Sequence, residues 1–444
     1  MIRSATILKS TALFCAFSLL AACSGGDDKT PETPLSGERI SVLSFKKNLE
    51  ADPTLADDPV ILPQPYKNLN WTQSGGSASN AMHHLSLGDA PQRLWRRSIG
   101  RGSSGKYRLV TAPIVVDGIL YAIDSKATVS ALDAATGREI WKRSFKVKKE
   151  GNKIAFGGGV AYGEGKIFAT NGYGMMLALD AETGTELWRY EATIPFRGAP
   201  AYSEGRVFGV THDNQLIALA AEDGVELWTH IGIVEVAGIL GSAAPAVGGG
   251  TVLAAYSSGE LFALRVENGR VAWTDTLSRT GRLTALATLN DIDGDPIVDR
   301  GTVYAVSHAG RMVAIDYTSG NRIWEQDVAA IATPWIAGEY IFMVSVDNEL
   351  LAIQRRDGRI RWSTQLQRFT DPEDREGVIT WSGPILASDR LLLTSSHGYL
   401  ISVSPYSGEV LSGVRLSEGT HMPPILANET LYVLSDDGDV TAYR

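Results

Sequence analysis

Between Val110 and Arg444, apolar and polar positions alternate in short runs, and the runs break at Gly, Asp or Asn. The first complete unit reads TAPIVVDG, ILYAIDS, TVSALDAATG and EIWKRSF. A period of two marks a half-buried strand, and the Gly- and Asp-containing breaks have the chemistry of hairpin turns. No stretch sustains helical spacing. The pattern predicts an all-β chain.

A longer period lies over the strand pattern. A small residue or acid, a turn and a glycine lead into a strand that carries Trp four residues after the glycine, at Trp141, Trp188, Trp228, Trp273, Trp324 and Trp362. A seventh copy, SPYSGEVLS, has Ser412 in place of Trp. The glycines, from Gly137 to Gly408, recur on average every ~45 residues, the length of one four-stranded propeller blade. After Leu416 three further strands remain, in PPILAN, ETLYVLSD and DVTAYR. Three strands alone would leave an open edge, which propellers avoid. The missing strand is available in PQRLWRRSIG, where Trp95 stands as the repeat Trp does. The expected fold is an eight-bladed β-propeller of four-stranded blades, closed by an N-terminal strand, over residues 89–444. In each blade the Gly should take a positive φ in the turn between the third and fourth strands. The nearby Asp or Asn should bond that turn, and the Trp should pack between neighbouring blades.

The start of the chain reads differently. Arg3 and Lys9 precede an apolar run from Thr11 to Ala22 that is too short to cross a bilayer. It ends in Leu20-Ala21-Ala22-Cys23, which resembles a bacterial lipobox, so residues 1–22 are expected to be a lipoprotein signal peptide and Cys23 the acylated residue. The other reading is an ordinary signal peptide with an incidental Cys. Ser24 after the Cys, rather than Asp, favours the outer membrane by the rule for such lipoproteins. Residues 23–88 are expected to form a tether and then an extended arm laid against the propeller surface, since ADPTLADDPVILPQPY is too Pro-rich for a regular element.

Composition narrows the chemistry. The formal net charge is −9, and removing a leader that holds Arg3 and Lys9 makes it more negative, which argues against a nucleic-acid partner. The two cysteines are Cys15 and Cys23, so after cleavage no internal disulfide can form. No Ser-His-Asp order, phosphate loop or CxxC is present.

The repeats, their number and the lipobox together resemble the BamB family of lipoproteins, which serve the outer-membrane β-barrel assembly (BAM) machinery. The repeats alone also resemble those of PQQ-dependent alcohol dehydrogenases. The first resemblance implies a non-enzymatic scaffold without a cofactor, lipid-anchored to the periplasmic face of the outer membrane. It implies binding to the POTRA domains of BamA and to other BAM subunits, support for the insertion of β-barrel proteins, and strand edges open to unfolded outer-membrane proteins. In that family two inter-blade loops hold BamA. The positions that match here are Ala237, Ile239, Leu240 and Gly241 in EVAGILGSAAP, with Leu240 replacing the family's Arg, and Asp291 and Asp293 in LNDIDGDPIV. An apolar patch beside paired carboxylates would suit a basic, partly apolar partner.

Competing readings of the same residues are open. Acidic residues in a loop are commonly only solvated, and Asp291-x-Asp293-Gly-Asp295 also resembles the start of a calcium loop, although Thr302 stands where the closing Glu would be. The alternative function is a membrane-anchored PQQ- or ligand-binding propeller, for which Trp335 and Trp381, near channel-lining strands, could stack on a flat ligand. His212, His308 and His397 fall at equivalent turns of different blades, too far apart around a ring to share a metal. The adjacent His83 and His84 lack a ligand spacing.

Overall fold

The computed structural model describes residues 49–145, 155–235, 243–278 and 290–444. The expected signal peptide, Cys23 and the expected tether lie outside the described residues, as do Ala237, Ile239, Leu240 and Gly241.

Among the described residues there are eight four-stranded antiparallel sheets, each with its strands in the order of the chain except the last. Blade 1 comprises Ile114–Val116, Ile119–Ile123, Thr128–Asp133 and Glu139–Ser144. Blades 2 to 7 repeat this plan, with first strands beginning at Gly158, Ala201, Ala246, Ile297, Trp335 and Trp381. Blade 8 takes Ile425–Ala427, Thr430–Leu434 and Asp439–Tyr443 from the C-terminus and Arg93–Ser98 from the other end of the sequence, with Trp95 opposite Ala442. The closure expected from Trp95 is the one observed. First strands are buried or half-buried and pack side by side around the axis, whereas fourth strands present most of their residues to solvent.

One kind of contact recurs at every junction between blades except that from blade 7 to blade 8. The Trp95 indole lies beneath Gly137 of blade 1, and its Nε1–H donates to the Ala134 carbonyl (3.1 Å). The same pairing joins Trp141 to Gly184, Trp188 to Gly224, Trp228 to Gly269, Trp273 to Gly320, Trp324 to Gly358 and Trp362 to Gly408. Each indole donates to a backbone carbonyl of the following turn. Gly137 has φ +70°, as the tight turn requires, and Asp133 Oδ1 accepts from the Ala135 and Thr136 amides to hold it. Ser412 now has a physical reason. Blade 7 would insert its Trp into the third hairpin of blade 8, but blade 8 has no such hairpin, because its fourth strand arrives from the N-terminal side.

The arm does not simply lie against the surface, as its composition suggested. Residues near Asp52 run beside the outer strand of blade 6, where the Asp52 amide bonds the Ile360 carbonyl and Arg361 donates to the carbonyls of Ala56 and Asp58. The chain then turns to the axis and makes a circuit of the ring. Asn68 bonds blade 8 at Leu426 and Asn428, Trp71 pairs with Val115 of blade 1, and the Thr72 carbonyl accepts from Tyr162 of blade 2. Gln73 bonds Tyr202 of blade 3, Ala78 meets Val247 of blade 4, and Ser79 meets Val298 of blade 5. The His83 carbonyl accepts from Trp335 of blade 6, and Leu85 bridges Leu386 and Ser388 of blade 7. These contacts fall where first strands approach their turns into second strands, so the arm closes that end of the central channel. Its partners are mostly backbone groups, which explains why an irregular, Pro-rich segment can be held without forming a strand.

Candidate functional site

The opposite end of the ring carries the connections from one blade's fourth strand to the next blade's first strand. Chain leaves blade 3 at Ile231 and begins blade 4 at Ala246; it leaves blade 4 at Thr276 and begins blade 5 at Ile297. The two segments singled out in the sequence therefore belong to consecutive connections of the same class. Ile231, Ile233 and Val234, which lead into the first of them, are exposed.

The acidic segment leading into blade 5 is not the exposed charged loop that the sequence suggested. Asp291 is 0% exposed, and Asp293 and Asp295 are also buried. The reason is Arg197, itself buried, from the connection between blades 2 and 3. Its guanidinium lies 3.1 Å from Asp291 Oδ1 and 3.5 Å from Asp293 Oδ1. Backbone bonds from Gly158 to the Arg197 carbonyl and from Arg197 to the Val210 carbonyl fix the base of that side chain. The ion pair thus ties the approach to blade 3 to the approach to blade 5. Asp295 is held separately: its carboxylate accepts from the Ala244 amide (2.7 Å), and its own amide donates to Thr333 of blade 6.

Among the described residues, these carboxylates share the region with one buried guanidinium, Arg197, and the protonation of Asp293 and Asp295 reflects their burial. Burial, reinforced by the Asp291 charge and opposed by Arg197, pushes Asp293 up to about 7. Burial pushes Asp295 up to about 6, against the hydrogen bonds that favour its ionised form. Both Asp293 oxygens are buried without a hydrogen bond. The oxygens of Asp291 and Asp293 that meet Arg197 form an ion pair rather than a calcium cage, and among the described residues no group of three His, Cys, Asp or Glu side chains could hold a metal.

Asp293 and Asp295 line a cavity of about 390 Å³ at the axis. Its floor is the arm at Trp71, Ser74, Gly75 and Asn80, and its walls are the segments leading into the first strands of blades 1, 6, 7 and 8. Trp335 and Trp381 stand in these walls, at the channel-lining positions expected of them. Trp335 stacks on Trp71 with centroids 6.2 Å apart, and its Nε1–H is committed to the arm. His212, His308 and His397 do sit in second-to-third-strand turns of blades 3, 5 and 7. His84 is spent on structure, its ring bonded between the Pro63 carbonyl and the Asp389 amide.

Sequence reasoning missed Arg197 and the burial of Asp295. Comparison between repeats carried a signal for the second. The residue before the Pro that opens a first strand is Ala112, Ala199, Ala244, Thr333, Gly383 or Pro423 in other blades, but Asp295 in blade 5.

A family model described as "Outer membrane protein assembly factor BamB" matches residues 125–364, more than half of the chain. The chain belongs to the BamB family. A BamB of Alkalilimnicola ehrlichii is 34% identical over 80% of this chain and 89% of its own length. That of Escherichia coli is 27% identical, covering 79% and 88%. The crystal structure of BamB from Moraxella catarrhalis superposes with a TM-score of 0.67 at 19% identity, over 80% of this chain and all of that one. The quinohemoprotein alcohol dehydrogenase of Comamonas testosteroni gives 0.65 at 14% identity, over 84% of this chain and 80% of that one, a likeness of fold. Membership in the BamB family makes this chain a component of the outer-membrane assembly machinery and associates it with the outer membrane.

Proposed function

We propose that this BamB-family protein is a non-enzymatic scaffold, anchored through acylated Cys23 to the periplasmic face of the outer membrane, that binds the POTRA domains of BamA through its inter-blade connections. The observation that carries the reading is the pinning of the blade 5 connection by Arg197, directly after the connection whose approach exposes Ile231, Ile233 and Val234. A segment held in place next to an apolar patch can dock a partner without ordering itself first, which lowers the entropic cost of binding. In this reading Asp291 and Asp293 act through the shape they give the loop, and Ala237, Ile239, Leu240 and Gly241 are the contact positions that the family resemblance proposes. Binding then positions the barrel-forming subunit during insertion, and the ring does no chemistry.

The test is a pull-down from detergent-solubilised envelope with native protein and with Ile233→Lys/Val234→Lys. Recovery of BamA with the native form and its loss with the folded double variant is the expected result. Equal recovery by both would move the contact elsewhere on the ring. Recovery by neither would sink the reading.

A further inference from the structure

The exposed side chains of Ile231, Ile233 and Val234 stand where the fourth strand of blade 3, Glu226–Ile231, has just ended. Beyond Ile231 the ladder no longer holds the chain, yet both backbone polar groups of Ile233 are bonded, each by a side chain of a different blade. Its N–H donates to Glu260 Oε2 (2.7 Å), and its carbonyl accepts from Asn214 Nδ2 (2.6 Å). Asn214 belongs to the second-to-third-strand turn of blade 3, and Glu260 opens the third strand of blade 4, Glu260–Arg265. Both side chains are themselves fixed. Asn214 is buried, and its Oδ1 accepts from the amide and the hydroxyl of Ser257. Glu260 Oε2 also accepts from the Ser258 hydroxyl (2.8 Å). The Gly232 amide donates to the Asn214 carbonyl (2.9 Å), and a Cβ on Gly232 would stand 2.5 Å from the Tyr256 ring.

Comparison between repeats marks Asn214 as a departure. Its position in the turn has a positive φ in every blade, and it is filled by Gly174, Gly259, Gly310, Gly398 and Gly438 in blades 2, 4, 5, 7 and 8 and by Ala127 in blade 1. Asn tolerates that conformation and adds an amide that reaches the outgoing connection. Asn348, at the same position in blade 6, does likewise, donating to the carbonyls of Gln367 and Ile379 in the connection to blade 7.

We infer that Asn214 and Glu260 are positioning residues for partner binding, clamping the backbone of Ile233 from both sides and so aiming Ile231, Ile233 and Val234 into an apolar groove of the docked partner. The inference rests on the BamA reading and adds how the apolar patch is presented. Backbone that is free beforehand must be ordered on docking, which lowers affinity roughly tenfold for each residue fixed. The clamp makes that ordering part of folding, and neither of its side chains needs to touch the partner.

The experiment measures capture of BamA over a concentration series by full-length protein in detergent, native and as Asn214→Gly, Glu260→Ala and Glu260→Gln, and follows amide exchange at Ile233 in each. Asn214→Gly installs the residue that five other blades carry, so the turn is kept and the amide is lost. Glu260→Gln keeps an oxygen that can accept from Ile233, whereas Glu260→Ala does not. The expected result is affinity roughly tenfold lower for Asn214→Gly and Glu260→Ala, faster Ile233 exchange in Glu260→Ala, and native behaviour in Glu260→Gln. Unchanged capture by Asn214→Gly and Glu260→Ala overturns the inference and leaves the BamA reading standing. A loss in Glu260→Gln equal to that in Glu260→Ala also overturns it, since the carboxylate would then act through its charge. No capture by the native protein sinks the BamA reading and the inference together. Should Asn214→Gly fail to fold, the two Glu260 variants decide alone.

Discussion

Gly320 sits so close over the Trp273 side chain that a methyl group added to it would lie 2.6 Å from Trp273 Cγ. The two residues belong to different blades, and each defines the shape the other must have. Gly320→Ala also asks a residue with a side chain to adopt φ +73°. We expect it to lower unfolding free energy by about 2–4 kcal/mol, and Trp273→Ala to lower it by about 3–5 kcal/mol. The double variant should lose less than the sum by at least ~0.5 kcal/mol, because removing the indole relieves the clash. Urea denaturation of the four proteins measures this, and strict additivity would refute a direct Trp–Gly dependence.

Ser412 provides the converse. It is exposed and its hydroxyl bonds Ser402. Since the neighbouring blade has no third hairpin to receive an indole, Ser412→Trp should change stability by no more than about 0.5 kcal/mol. A gain approaching the loss from Trp273→Ala would mean that a docking site exists there after all.

Asp293 predicts a pH dependence whose direction follows from its raised pKa. The native state holds this proton more tightly than the unfolded state. Its contribution is therefore fully present below the unfolded value near 3.8 and is lost as pH rises through about 7. The difference sets an upper limit of about 4 kcal/mol. Asp293→Asn should flatten stability between pH 5 and 8, a window chosen to lie around that titration, roughly as linkage requires, and should raise stability most at the alkaline end. An unchanged slope by denaturation at several pH values would show that Asp293 does not titrate in this range.

The arm predicts a pattern in hydrogen exchange. The amides of Tyr162, Val247 and Val298 are bonded to carbonyls of Thr72, Ala78 and Ser79, not to their own sheets in these bonds. Substituting Trp71 by Ala should speed exchange at these three positions in blades 2, 4 and 5 together, since the arm is held as a circuit. Faster exchange confined to Val115, the direct partner of Trp71, would show instead that the arm is held piecewise.

Much of the ring was legible because its stabilising contact is written at one position per repeat: a Trp four residues after a Gly needs no knowledge of distant chain. Trp95 was legible for the same reason, although its blade is built from both ends. The path of residues 66–88 was not, because its partners are backbone groups, which leave no trace in side-chain pattern. The acidic segment misled for a related reason. Asp291 reads as a surface residue until Arg197, far away in sequence and two blades back round the ring, is placed against it. A charge that is neutralised at long range looks, locally, like any solvated charge. The Ser412 exception was visible as a fact, and its cause required knowing that the last blade lacks a hairpin.

The pairing of Arg93–Ser98 with Asp439–Tyr443 also orders events in time. A chain delivered N-terminus first carries the arm and the closing strand from the beginning, yet the arm lacks its blade 8 partners until Asn428 is made and the closing strand lacks its own until Tyr443. The arm touches every blade, so it cannot complete its circuit on a partial ring. Shortened chains that stop before Leu426 keep seven hairpin-built blades with an unsealed edge and an arm missing its last partners, Leu426 and Asn428. Protection of that segment from a protease is thus a clock for the completion of the molecule, readable on chains halted at successive lengths.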